Sequence, residues 1–345
     1  MKREWTLGLI GCGAIADFHL MAIRELPGAR LAMVSDRKPA RAAEIGIREA
    51  CGWTTDYREL LARPEIDIVC VTTASGSHAQ IGMEVLEAGK HLAVEKPMAM
   101  TADDADRMNR LAAERGLTIA VISQRRFEPQ HRIAHRLVAE GSLGKLLLIE
   151  AGCPFYRLQS YYDSAGWRGT VAHDGGAILN QGIHTLDLML WFGGGVRTVY
   201  AKTATRTHRM EAEDIGTALM EFENGAFGTF TASTSLQPGF DPYLRLYGEN
   251  GTIKLEGTRI VHWTVPGVPE PDLETDEGSG GGVSHPLSIS NKYHREQLAD
   301  LLASLSEGRK PFVTGQDGWQ AVRVVQAMYR SAREGGEIRF NDGMK

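Results

Sequence analysis

Between residues 5 and 123 short apolar runs alternate strictly with amphipathic stretches, and this period limits the folds open to the chain more than any other feature. The run WTLGLI (5–10) stops at a glycine turn. It is followed by AIADFHLMAIRELPG, where Ile15, Phe18, Met21, Ala22 and Leu26 recur at helical spacing before a Pro-Gly stop. ARLAMVSD (29–36), EIDIVCVTT (65–73), KHLAVE (90–95) and LTIAVIS (117–123) read as further strands. Helices are expected at PARAAEIGIREA (39–50), near 78–89, and at TADDADRMNRLAAERG (101–116), the last with Thr101 as cap and Gly116 as stop. Strands that alternate with helices build a parallel sheet through right-handed crossovers, so the first part of the chain is expected to be a doubly wound α/β domain.

The character changes near residue 124. Stretches 145–156 and 196–256 read as strands joined at hairpin length, with turn signals such as ENGAFG and GENG, which suits an antiparallel sheet exposed on one side. A helix is expected at about 176–192 and two more near 289–307 and 315–334, while the acidic, glycine-rich stretch 269–283 reads as a mobile loop. A chain of 345 residues exceeds one ordinary hydrophobic core. The expected division is 1–124 as the α/β domain and 125–345 as an α+β domain.

A net charge of −5 argues against a nucleic-acid footprint and against electrostatic docking on anionic membranes. Cys12, Cys51, Cys70 and Cys153 are scattered without a C-x-x-C pair, which fits reduced thiols in a reducing compartment. No apolar run reaches membrane-helix length. The opening MKREWTLGLIGCGAIAD imitates a secretory leader, but its apolar run carries Gly8, Gly11 and Gly13, so a cytoplasmic protein is expected.

Those glycines have a better explanation. Gly11-Cys12-Gly13-Ala14-Ile15-Ala16 is a G-x-G-x-x-A turn set between a strand and a helix. The first glycine permits the tight turn, the second lets backbone approach a pyrophosphate, and the small last residue packs helix on strand. Asp36 ends the second strand 25 positions after Gly11, where an acid accepts hydrogen bonds from an adenosine ribose. A dinucleotide is therefore expected, held by Gly11, Gly13, Ala14, Ile15, Asp36 and Arg37. The negative charge of Asp36 favours NAD over NADP, whereas the adjacent Arg37 and Lys38 keep NADP as the lesser alternative. Thr73 and His78, together with Glu95 and Lys96, complete the expected cofactor set.

The fourth strand of this domain runs into Glu95-Lys96-Pro97. Ligands of parallel sheets bind beyond the carboxyl ends of the strands, so Lys96 stands on the cofactor side. In DGGAILNQGIHTLDLMLW (174–191), Asn180, His184 and Asp187 share a helical face on an otherwise apolar helix. A polar stripe there is expected to face a substrate, and Gly175-Gly176 allow close approach. Together, the glycine turn followed by His19, the Glu-Lys-Pro at 95–97 and the G-G-x-x-x-N-x-G-x-H at 175–184 resemble the glucose–fructose oxidoreductase/inositol dehydrogenase (Gfo/Idh/MocA) family. The stretch 294–332 is similar to that family's C-terminal region. The resemblance implies a Rossmann domain, an open-faced antiparallel sheet that often mediates oligomers, and oxidation or reduction of sugars and cyclitols. It also places Lys96 and His184 on the catalytic lysine and histidine. Many members have Asp where this chain has Asn180, and some relatives acting on nucleotide-linked sugars share the Asn.

The expected reaction is hydride transfer between a secondary alcohol and the nicotinamide, with His184 as general base, Lys96 as the cation on the oxygen and Asn180 orienting the hydroxyl. The substrate, a carbohydrate or cyclitol, is expected between the domains. Arg126, Trp167 and Arg168 lead its contacts, with Arg125, Tyr156, Tyr161, Tyr162, His173, Tyr293 and His294 as secondary candidates. A homodimer or homotetramer through the C-terminal sheet is expected. A metal enzyme built on His173, Asp174, His184 and Asp187 lacks a compact ligand motif, so no metal is expected. A non-catalytic dinucleotide-binding sensor of the same fold is the other alternative, and the presence of both Lys96 and His184 speaks against it.

Overall fold

In the computed structural model, residues 4–273 and 291–340 are described. The part of the expected acidic loop beyond residue 273 lies outside them.

A parallel sheet covered on both faces calls for strands that are apolar throughout, and β1 (Trp5–Ile10) is buried at every position. The chain continues through α1 (Ala16–Glu25), β2 (Ala29–Ser35), α2 (Pro39–Arg48), β3 (Gly52–Thr54), α3 (Tyr57–Leu61), β4 (Ile68–Val71), α4 (His78–Glu87), β5 (His91–Val94), α5 (Ala102–Glu114) and β6 (Ile119–Val121). The six strands are all parallel in the order β3-β2-β1-β4-β5-β6, so the chain reverses direction beside β1. The open crevice of such a sheet lies at that reversal, where β1 and β4 end. β3 and α3 were not expected, being too short to register a period.

After β6 come α6 (Pro129–Ala139), β7 (Leu146–Pro154), α7 (Gln159–Asp163), a π-helical turn (Ala177–Gly182) and α8 (Ile183–Gly193). The strands β8 (Val196–Ala204), β9 (Ile215–Phe222), β10 (Phe227–Ser233), β11 (Tyr243–Gly248), β12 (Thr252–Glu256) and β13 (Arg259–Thr264) follow, then α9 (Lys292–Glu307), α10 (Gly315–Glu334) and β14 (Ile338–Arg339). The eight-stranded sheet has the order β13-β12-β11-β7-β10-β9-β8-β14, and only the β7–β10 pair is parallel. The π turn and α8 cover one face, so closely that a Cβ on Gly182 would stand 2.8 Å from that of Ala232. The other face carries Tyr200, Leu219 and Phe227, of which Leu219 is 60% and Phe227 64% exposed.

By packing, the chain divides into Met1–Gln124 with Asn291–Val322, and Arg125–Ser290 with Arg323–Lys345. The expected second domain, 125–345, includes Asn291–Val322, which here packs with the first unit. The physical reason for the difference is α9. Its Leu298, Leu301 and Leu302 enter the core formed by Trp5, Leu7, Leu20 and Ile23. Gln297 also serves the outer edge of β6, donating to the Val121 carbonyl at 2.7 Å and accepting from the Ser123 amide at 3.0 Å. An exposed strand edge is thus closed by a side chain. Among the described residues no helix is long and apolar enough to cross a membrane.

Candidate active site

The glycine turn fits the group that its motif implies. Gly11 has φ +98°, and a Cβ there would stand 2.8 Å from the Thr73 amide nitrogen, so only glycine lets β1 and the segment after β4 come together. At Gly13 a Cβ would meet nothing within 4 Å. Gly13 and Ala14 are exposed, and α1 begins beyond Ile15 without a side-chain cap; the Ala16 amide bonds the Gly13 carbonyl at 3.1 Å and the Phe18 amide that of Ile15 at 3.2 Å, so the exposed Gly13-Ala14 backbone is the part an anion would meet. Thr72 Oγ1 donates to the Gly11 carbonyl at 2.6 Å, and Arg41 Nε to the Cys12 carbonyl at 2.8 Å. Asp36 is braced at both oxygens, by the Cys12 amide on Oδ2 and the Lys38 amide on Oδ1, each at 2.8 Å. A carboxylate oxygen accepts more than one hydrogen bond, so Asp36 is held in place with capacity left for ribose hydroxyls. The Arg37 and Lys38 side chains are exposed.

Beyond β5, the Glu95-Lys96-Pro97 turn contains a cis Lys96–Pro97 bond. Glu95 is 4% exposed, and its Oε1 lies 2.9 Å from His19 Nε2. Burial alone would raise the Glu95 carboxyl, but the hydrogen bond and charge of His19 outweigh it and bring the group down to about 2. Lys96 is half-buried. His78, expected among the cofactor contacts, is 1% exposed, with its ring nitrogens 2.7 Å from the Pro97 carbonyl and 3.0 Å from that of Thr73. Burial keeps it below the ordinary histidine range, and a neutral ring donates to one of these carbonyls at a time. It therefore links the two segments that flank the crevice.

In the second unit the stretch 174–184 opens at Gly175, φ +74°, and passes through the π turn, which carries Asn180, into α8, which carries His184. Single π turns recur at functional positions of helices. Here the turn is anchored by Glu213, whose backbone oxygen accepts from the Ala177 amide at 2.8 Å and whose Oε1 accepts from the Ile178 amide at 2.9 Å. Tyr329 adds its hydroxyl to the same Oε1 at 2.9 Å, and burial pushes the Glu213 carboxyl up to about 7. Gly176 is required because a Cβ would overlap Glu213. The Asn180 amide is fixed from both ends: Nδ2 donates to the buried Asp174, and Oδ1 accepts from Gln181 Nε2 at 2.7 Å. Gln181 also reaches the Tyr161 hydroxyl at 3.2 Å, which accepts from Arg168 at 2.6 Å. The Arg168 guanidinium lies 4.2 Å from the Tyr161 ring centroid and 4.7 Å from that of Trp167, so Trp167 and Arg168 form one aromatic-cationic group with Tyr161.

Two of the residues singled out in the sequence, Arg126 and Asp187, meet each other. Arg126 is 3% exposed and holds Asp187 through two bonds, Nε to Oδ2 at 2.8 Å and a terminal nitrogen to Oδ1 at 2.6 Å. Arg126 is thus a packing partner of α8 where a substrate contact was expected, and Asp187 turns to Arg126 where it was expected to complete a polar stripe with Asn180 and His184. The π turn also breaks the simple i, i+4, i+7 register on which that stripe was drawn. Tyr293 and His294, two of the secondary candidates, are buried, with 6% and 2% of their surface exposed. Among the described residues no group of three or more His, Cys, Asp or Glu is placed to hold a metal ion. Arg41, Thr72, Asp174, Gln181 and Glu213 went unnoticed as supports. Only Asp174 and Gln181 had a signal, lying within the glycine-histidine stretch itself.

The chain matches the model of the oxidoreductase family with an NAD-binding Rossmann fold over residues 5–123, and that of the GFO/IDH/MocA C-terminal domain over residues 131–254. It belongs to the Gfo/Idh/MocA oxidoreductase family. Among this family's solved structures is the WlbA dehydrogenase from Bordetella pertussis in complex with NADH and UDP-GlcNAcA. It is 30% identical with a TM-score of 0.88, and the match covers 98% of this chain and 99% of that one. The uncharacterized oxidoreductase YrbE of Bacillus subtilis (strain 168) is 27% identical over 96% of this chain and 95% of its own length. The scyllo-inositol 2-dehydrogenase (NAD(+)) of the same organism is 24% identical over 99% of this chain and 98% of its own. The Gfo/Idh/MocA fold accounts for both sheets, the parallel one with its reversal at β1 and the open-faced one.

Proposed function

We propose that this protein is an NAD(H)-dependent dehydrogenase that interconverts a secondary alcohol of a sugar, cyclitol or sugar derivative with the corresponding ketone. The observation that carries this reading is the Asp36 carboxylate, held by two backbone amides at the rim of an exposed glycine turn. A negative charge at that position accepts from two ribose hydroxyls and repels a 2′-phosphate, so NAD is the cofactor in place of NADP. When bound, the nicotinamide supplies two-electron redox chemistry at the alcohol carbon. His184 takes the hydroxyl proton or returns it, Lys96 as ammonium donates to the same oxygen and stabilises its alkoxide character, and Asn180 orients the substrate. Asn180 has no titratable proton to relay; its amide is held in orientation by one bond donated to Asp174 and one accepted from Gln181.

Trp167, Tyr161 and Arg168 supply aromatic faces and a cation of the kind that suits a sugar ring bearing an anionic group. Because the Bordetella relative's structure holds UDP-GlcNAcA and the Bacillus relative is an inositol dehydrogenase, nucleotide-linked sugars and inositols head the substrate panel. The exposed face of the eight-stranded sheet is the surface for a second copy of the chain. Four free thiols fit a reducing interior, and we place the protein in the cytoplasm.

The test is a fluorescence titration of NADH and NADPH, followed by a turnover screen of inositols, aldoses and nucleotide-linked sugars, with and without a carboxylate. Tighter NADH binding and oxidation of a panel member are expected. Tight NADH binding without turnover across the whole panel would favour a sensor of the same fold. Binding of neither cofactor would remove the reading altogether.

A further inference from the structure

Beneath the Glu95-Lys96-Pro97 turn lies a charged group that the reaction above does not use. The Glu95 carboxylate is 4% exposed, and the His19 ring that meets it at 2.9 Å is fully enclosed. A carboxylate removed from water needs a positive partner or several donors to stay ionised. Few groups face this one. They are His19 from α1, His294 from α9 with Nε2 at 4.0 Å, the neutral His78 from α4, and Lys96 beside it in the chain, whose backbone amide reaches Oε2 at 3.3 Å. Cys70 of β4 faces His19.

His294 does not carry the positive charge: its ring packs on Phe18 with centroids 5.2 Å apart, and burial takes it down to about 4. His19, in direct contact with the carboxylate at 2.9 Å, is shifted the other way. Burial would lower it, yet Cys70 and Glu95 together raise it to about 10.

We propose that His19 is a positioning residue for Lys96: as an imidazolium it keeps Glu95 anionic under the turn, and the Glu95 charge keeps the Lys96 ammonium protonated and directed. His19 stands on α1, the helix that opens at the dinucleotide turn, so the helix expected to hold the cofactor and the turn that carries Lys96 share one ion pair. The inference rests on Lys96 being the group that binds the reacting oxygen.

The experiment therefore reads Lys96 directly and needs no substrate. The full-length protein is labelled with acetic anhydride across a pH series, and acetylation of the Lys96 peptide is quantified by mass spectrometry. Glu95→Gln is expected to lower the Lys96 titration midpoint by about one pH unit or more, the size of effect an adjacent opposite charge produces. His19→Gln is expected to lower it too, and the double variant to match Glu95→Gln alone, because His19 acts through Glu95. An unchanged midpoint in Glu95→Gln overturns the proposal, as does a His19→Gln shift that persists in full on the Glu95→Gln background. Should the variants fail to fold, nitrogen-15 spectra of histidine-labelled wild type decide: one imidazolium is expected to persist near pH 8.5, about two units above the ordinary histidine value, and its absence overturns the proposal. Loss of turnover in Lys96→Ala with an unaltered wild-type Lys96 midpoint in Glu95→Gln would sink this proposal and leave the catalytic assignment standing.

Discussion

Asp36 joins two duties in one carboxylate. It braces the glycine turn through the Cys12 amide, and in the proposed function it presents the charge that selects the cofactor. Asp36→Ala removes both, so NADH affinity is expected to fall about 10- to 100-fold, the worth of one or two hydrogen bonds to a charged group. The ratio of NADPH to NADH affinity should rise at the same time, and the same fluorescence titration reports both numbers. At the proposed chemical step the expectation differs. Lys96→Ala and His184→Ala should each lower turnover of the panel substrate by about 100- to 10,000-fold while leaving the NADH affinity of His184→Ala near wild type. Retention of more than half the turnover in either variant would end the assignment.

Among the elements, the π turn is the one on which Asn180 depends, and its anchor is a buried acid. Glu213 is raised from its usual 4.5 to about 7 by burial, so the folded state binds its proton more tightly than the unfolded chain does. Its contribution to stability is therefore full below pH 4.5 and is lost as the pH rises through about 7. Melting temperature should decline over that interval in the wild type and less steeply in Glu213→Gln, measured by calorimetry at fixed ionic strength. The Arg126–Asp187 pair on α8 calls for a different test. Removing one partner of a buried pair strands the other charge, at a cost of about 3–5 kcal/mol. Arg126→Met should therefore destabilise far more than Arg126→Met combined with Asp187→Leu, by urea unfolding.

The sequence made the period of β1, α1, β2 and α5 legible, because local spacing alone sets which side of a strand or helix is apolar. It also marked Gly11, Asp36, Lys96, Asn180 and His184, whose spacing within short stretches carries the motifs. It did not disclose that Arg126 would close on Asp187, 61 positions away, or that Glu213 would cap the π turn from a distant loop. Such partners are chosen by the tertiary fold, and no local pattern records them.

For the molecule as a whole, the open face of the eight-stranded sheet is the feature that no other described element covers. Cross-strand rows bring Tyr200, Leu219 and Thr229 together, and beside them Glu221 and Phe227. Exposed apolar side chains in contiguous rows mark an association surface. Leu219→Glu with Phe227→Glu should reduce the mass in light scattering to that of one chain while the fold by circular dichroism is kept; an unchanged mass would place any interface elsewhere. A last consequence concerns the order in which the chain is made. Trp5 bonds Ser306 at 3.1 Å, and Leu298, Leu301 and Leu302 fill the core around β1. A ribosome emits β1 to β6 long before it emits α9, so the amino-terminal sheet waits, with its apolar flank uncovered, through the 170 residues that separate Val121 from Lys292. Domains ordinarily fold as they emerge. This one cannot close until α9 has emerged, and nascent fragments that stop before residue 291 should be clients of chaperones.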